Sequence, residues 1–179
     1  MFNKILLFCL IHFFFLQSAY GFDGQRQGGI IGIGGGIHHT YYTHDGFSDS
    51  YKSFATSVRA GYAFTNQFST YYIRNASWRK KKNYYDDTNY HVTGISGIGA
   101  SYYMSLKTPS TYLVGAIGIG DDTQIGSYSD SGIAYLVGVG SERTKGIHIE
   151  LTYLHVYINN STPPFRSHSF QAILNYLWY

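Results

Sequence analysis

Apolar residues recur at every second position through most of this chain, and the alternating runs are separated by short polar stretches. Period two is the periodicity of a strand with two unlike faces. In GGIIGIGGGIHHTYY, Ile31, Ile33, Ile37 and Tyr41 share one parity, while Gly32, Gly34, Gly36 and His38 share the other. One face is therefore large and apolar and the other nearly bare. So many glycines would weaken a helix, but in a strand they leave room inside a crowded barrel.

The next run, YKSFATSVRAGYAF, sets Phe54, Val58, Tyr62 and Phe64 against Ala55, Ser57, Arg59, Gly61 and Ala63. FSTYYIRNASW is a third strand without a clear parity, and a fourth, at about Thr88 to Met104, carries Gly94, Gly97 and Gly99. In TYLVGAIGIG, Leu113, Ile117 and Ile119 oppose Tyr112, Val114, Ala116, Gly118 and Gly120. The sixth strand is the clearest: Ile133, Tyr135, Val137 and Val139 face one way, and Gly132, Ala134, Leu136, Gly138 and Gly140 the other. The seventh alternates Ile147, Ile149, Leu151 and Tyr153 with His148, Glu150 and Thr152. The last, within Ser167 to Tyr179, has its more apolar parity at Phe170, Ala172, Leu174, Tyr176 and Trp178.

The connections also alternate. Polar stretches Thr43 to Ser50, Arg79 to Asp87, Asp121 to Asp130 and Asn159 to Arg166 read as loops of about eight to ten residues, and those between them as turns of about three to six. Pro109 marks one of these turns, because proline cannot donate within a central ladder. Long connections at one rim and short ones at the other make an all-β, eight-stranded antiparallel up-and-down barrel. The closing strand is expected to pair with Gly28 to Tyr42, so that neither keeps a free edge.

The N-terminus changes the setting. MFNKILLFCLIHFFFLQSAYG has a basic residue, Lys4, an apolar run from Ile5 to Leu16, and small residues Ala19 and Gly21 at cleavage-site spacing. Residues 1–21 read as a secretory signal peptide, and 22–179 as a single barrel domain. Processing removes Cys9, the chain's one cysteine, and leaves 12 basic against 10 acidic residues. That balance provides no strongly basic face for nucleic acid. The whole chain is 18% aromatic, with 19 Tyr and 12 Phe, and its mean hydropathy of −0.15 suits strands in which only alternate residues meet lipid.

The small face also carries Arg59, His148 and Glu150. A soluble, ligand-binding exported barrel needs a large apolar interior, whereas a lipid-embedded one is apolar outside and small or polar inside. The pattern favours a transmembrane barrel, with Ile133, Tyr135, Val137, Val139, Phe170, Leu174, Tyr176 and Trp178 facing lipid.

These residues resemble eight-stranded bacterial outer-membrane barrels of the opacity-protein, Ail and OmpX type. The likeness rests on the signal peptide, the glycine-alternating GIGIGGG and YLVGVG, the strand ELTYLHV and the C-terminal aromatic. It implies an outer-membrane location, recognition of the last strand by the assembly machinery, and contact with outer-membrane lipid and lipopolysaccharide or a host surface. In that group the aromatics of the last strand keep step with the final residue. Here that row is Gln171, Ile173, Asn175, Leu177 and Tyr179, the less apolar one, so a turn at the rim or a bulge is expected to reconcile Tyr179 with the lipid row.

Candidate chemistry is sparse. Gly32 to Gly36 and Gly118 to Gly120 are not nucleotide loops, since no helix follows them. Arg59, His148 and Glu150 form an interior polar set, read as a structural network because lumen charges must pair or stay hydrated. Arg79, Lys80, Lys81 and Lys82 form a cationic run suited to lipopolysaccharide phosphates or sulfated glycans. A lipid A-modifying enzyme is the alternative, drawing on His155, His168 and Ser169 with Asp45 or Asp49, but His168 is followed by Ser-Phe-Gln and lacks the deacylase's His-x-Ser-Asn motif. Eight strands normally enclose a filled interior, so no pore is expected. The sequence therefore reads as a monomeric, non-enzymatic surface protein needing no metal or cofactor.

Overall fold

The computed structural model describes residues 26–44, 47–82, 88–126, 128–159 and 164–179. Residues 1–21, read from the sequence as a signal peptide, and Asp45 lie outside the described residues. Eight strands close into one antiparallel barrel in sequence order. They are β1 (Gly28–His44), β2 (Phe47–Ala63), β3 (Phe68–Lys82), β4 (Thr88–Tyr103), β5 (Ser110–Gln124), β6 (Tyr128–Thr144), β7 (Ile147–Ile158) and β8 (Phe165–Trp178). β8 pairs with β1 from Ile31↔Trp178 to Thr43↔Arg166, which removes both edges.

Of the four polar stretches read as loops, Thr43 to Ser50 and Asp121 to Asp130 are mostly strand, and the other two contribute Arg79 to Lys82 and Phe165 to Arg166 to strands. β1 and β2 continue their ladder to His44↔Phe47, β3 and β4 to Lys82↔Thr88, and β5 and β6 to Gln124↔Tyr128. Long and short rims therefore do not alternate. β1, β2 and β6 each run 17 residues, where roughly 9–11 cross a bilayer. The surplus lies at the end away from Arg26 and Tyr179, called the far end below. Polar residues such as Lys80, Asp122, Thr123 and Ser129 interrupt the rows there, so alternation loses its contrast although the ladder persists.

Parity sets the two sides of the wall. On β3, whose pattern was ambiguous, Tyr71, Ile73, Asn75 and Ser77 are buried inside while Tyr72 and Trp78 lie outside. Tyr179 keeps step with the buried Gln171, Ile173, Asn175 and Leu177 and points into the barrel. The β7–β8 and β1–β8 registers run unbroken, so neither a bulge nor a turn was needed. The irregularity falls instead between β6 and β7, at Glu142/Thr144.

Two inner glycines, Gly99 and Gly140, are seats for rings. A Cβ on Gly99 would come within 2.6 Å of Tyr71 Cε2, and one on Gly140 would overlap the Tyr112 ring. The Tyr71 and Tyr112 rings thus occupy interior space that these two glycines leave. Gly140→Ala is expected to cost about 1–3 kcal/mol by overpacking. Gly115→Ala, whose Cβ would lie 3.9 Å from Leu136 O, an ordinary contact, is expected to be close to neutral. Denaturant unfolding of the two variants in lipid checks this, and equal stabilities would refute the ring-seat account.

Candidate functional site

The barrel interior holds stacked polar layers. At mid-height, Arg59 on β2 reaches across to Glu150 on β7, donating from Nη1 to Oε1 at 2.7 Å and from Nη2 to Oε2 at 2.5 Å. Tyr112 Oη donates to Oε1 at 2.5 Å, and the Arg59 guanidinium lies 5.0 Å from the Tyr71 ring centroid. Arg59 and Glu150 are 1% and 0% exposed. Such a pair tolerates burial because two parallel hydrogen bonds and a phenol replace water at the carboxylate.

His148 sits one layer lower, toward the end with both termini. Its Nε2 lies 3.3 Å from Tyr179 Oη, which is 2.6 Å from Tyr103 Oη. Below them Arg26 closes the mouth. It donates from Nε to Glu142 Oε2 at 2.7 Å, and from Nη1 to the carbonyls of Asn66 at 2.7 Å and Ser105 at 2.9 Å. Its guanidinium covers the Tyr103 ring at 4.3 Å. Arg26, Glu142, Tyr103, Tyr112 and Tyr179 were not singled out from sequence as members of a polar network. Glu142 continues the inward parity of Gly138 and Gly140 and was findable; Arg26 precedes β1 and carries no periodic signal.

Toward the far end, Gln171 Nε2 donates to Ser77 Oγ at 3.1 Å, Thr152 Oγ1 donates to Gln171 Oε1 at 3.1 Å, and Thr93 donates to Asp122 at 2.6 Å. The cationic run is not one loop patch. Arg79 to Lys82 belong to β3, and the side chains of Arg79 and Lys80 leave opposite faces. Arg79 turns inward, with its guanidinium 4.8 Å from the ring centroids of both Tyr42 and Tyr51. Lys80 is exposed on the outside.

Outside, Ile133, Tyr135, Val137, Val139, Phe170, Leu174 and Tyr176 are exposed, and Trp178 is partly so. The row is broken by an ion pair that sequence reading missed. Arg74 on β3 donates to Asp121 on β5 at 2.5 and 2.8 Å, and to Ser96 on the intervening β4 at 3.2 Å. A groove of about 920 Å³ crosses the opposite wall over β6, β7, β8, β1 and β2. Ile37, Val137, Leu151, Phe170 and Ala172 line it, with His39 and Lys52 at its far-end edge. His168 and Ser169, considered together as catalytic candidates, leave opposite faces. Ser169 is buried and lies 2.5 Å from Thr40 Oγ1 inside, whereas the His168 ring lies tilted beside that of His155 on the outside.

No protein-family model and no curated protein sequence matches the chain. Solved structures do. Ail, the attachment invasion locus protein of Yersinia pestis, superposes with a TM-score of 0.60 at 15% identity, covering 85% of this chain and 99% of Ail. Neisserial surface protein A gives 0.54 at 19% identity, covering 82% and 96%. OprG of Pseudomonas aeruginosa gives 0.52 at 11%, covering 86% and 97%. An apolar outer wall around interior ion pairs is the arrangement of a barrel surrounded by lipid. The fold is that of the small eight-stranded bacterial outer-membrane barrels, and the apolar wall sets this chain in that membrane.

Proposed function

We propose that this chain is a monomeric, non-enzymatic component of the outer-membrane surface that engages phosphorylated lipid of the outer leaflet, chiefly lipopolysaccharide, through its wall. The supporting observation is the apolar groove with Lys52 and His39 at its far-end edge. An acyl chain fits the apolar floor, and a headgroup phosphate then meets the ammonium, a point charge suited to it. Arg166, exposed above the groove with its guanidinium 5.2 Å from the Tyr157 ring centroid, adds a second cation. The filled interior favours this wall over a lumenal reaction, and the brief far-end hairpins favour it over a large protein-binding epitope.

In this reading residues 1–21 direct export, and the assembly machinery recognises β8. The interior layers around Arg59, His148 and Glu150 serve as a structural lock. Lys80, with Lys81 and Lys82 beside it in sequence, extends the cationic rim along β3. A sulfated host glycan is the second partner class, favoured by that exposed cation; Ail itself has been solved with the heparin analogue sucrose octasulfate.

Retention of lipopolysaccharide by purified, folded protein tests the reading. Lys52→Ser with Arg166→Ser is expected to lower it several-fold, while Lys80→Ser affects heparin retention more than lipid. Unchanged lipopolysaccharide retention in the double variant would remove the lipid assignment.

A further inference from the structure

His155 on β7 and His168 on β8 are direct cross-strand partners on the outer wall. They lie near the far end, where β7 finishes at Ile158 and β8 begins at Phe165. Their Nδ1 atoms face each other at 3.2 Å, with ring centroids 4.6 Å apart. Both rings are half-buried. The surrounding aromatics hold them: Tyr135 has its centroid 5.1 Å from that of His155, and Tyr153 Oη lies 2.5 Å from His168 Nδ1.

Two imidazole nitrogens so placed can share one proton, and with two they repel. An ion that accepts both lone pairs resolves the conflict better. Nitrogens bound at 2.0–2.1 Å to a tetrahedral ion stand about 3.3–3.4 Å apart, close to the separation already present. The β-ladder fixes the two backbones on either side, so little ordering remains for a ligand to impose.

We propose that His155 and His168 form a binding site for a borderline divalent transition-metal ion, Zn²⁺ or Cu²⁺, at the outer surface of the barrel. Imidazole suits these ions, and Cu²⁺ binds nitrogen sites most strongly among the first-row divalent metals. Tyr153 Oη is the nearest further donor. Among the described residues no group of three His, Cys, Asp or Glu gathers, so the site is an open one whose remaining positions fall to water or an external ligand. Its two ligands are separate from the lipid reading, which rests on the groove with Lys52 and His39 and on Arg166.

The test uses folded, chelator-treated barrel in detergent micelles. Zn²⁺ is titrated calorimetrically, and Cu²⁺ is added for electron paramagnetic resonance. The expected result is one ion per barrel with coupling to two nitrogens. His155→Ala and His168→Ala should each weaken Zn²⁺ binding at least tenfold, and His39→Ala, on the same wall, should leave it unchanged. Heat-modifiable gel mobility checks that each variant is folded. A folded His155→Ala, His168→Ala double variant that binds Zn²⁺ as wild type does, or an equal loss in His39→Ala, would overturn the site.

Discussion

Arg59→Ala is expected to destabilise the barrel by about 3–5 kcal/mol, the cost of stranding a buried charge. Glu150 is 0% exposed, and without the guanidinium it would keep the Tyr112 phenol as its one remaining partner among the hydrogen bonds described above. Glu150→Ala should cost a similar amount by stranding Arg59. Removing both charges together is different: Arg59→Met with Glu150→Leu exchanges the pair for apolar volume, and such replacements are often close to neutral. The prediction is therefore strong non-additivity, with the double variant more stable than either single one. Equilibrium denaturant unfolding in lipid, run as a double-mutant cycle, measures it. Wild-type stability in both single variants would mean that water reaches the pair and that the lock does not exist.

That pair shows what was legible in the chain and what was not. Alternation placed Arg59 and Glu150 on the small face because lipid and lumen are unlike solvents, and each strand had to match both. Nothing local could state that β2 and β7 meet across the lumen, since that contact arises only when the barrel closes. The far-end segments were misread for the complementary reason. Around Arg79 and Lys80 and from Asp121 to Gln124 polar residues occupy both rows, so the strands continue without hydrophobic contrast. Arg74 obscured β3 by putting a charge in an outward row, where Asp121 and Ser96 satisfy it. Arg26 stayed hidden because it acts from outside any strand. Tyr179 is the instructive case: its parity looked like a defect of the outer row, and it is a member of the inner one.

Val137→Arg is expected to cost about 2–4 kcal/mol, as cations do on the lipid face near the bilayer midplane. Val137 lies midway along β6 on the outer wall and is 51% exposed. In water an exposed valine on a strand tolerates arginine at little cost, because the charge stays hydrated and only a modest strand preference is lost. In lipid the same guanidinium must be dehydrated or drag water with it. Ser129→Arg, on the same face of β6 but near its far-end start, should cost about 0–1 kcal/mol, since the penalty fades toward the interface. Depth dependence along one face is thus the signature of a bilayer. Refolding of both variants into phospholipid vesicles, followed by denaturant titration, reads it directly. Equal, small effects at the two positions would mean that water wets the whole outer wall, and the membrane assignment would fall with them.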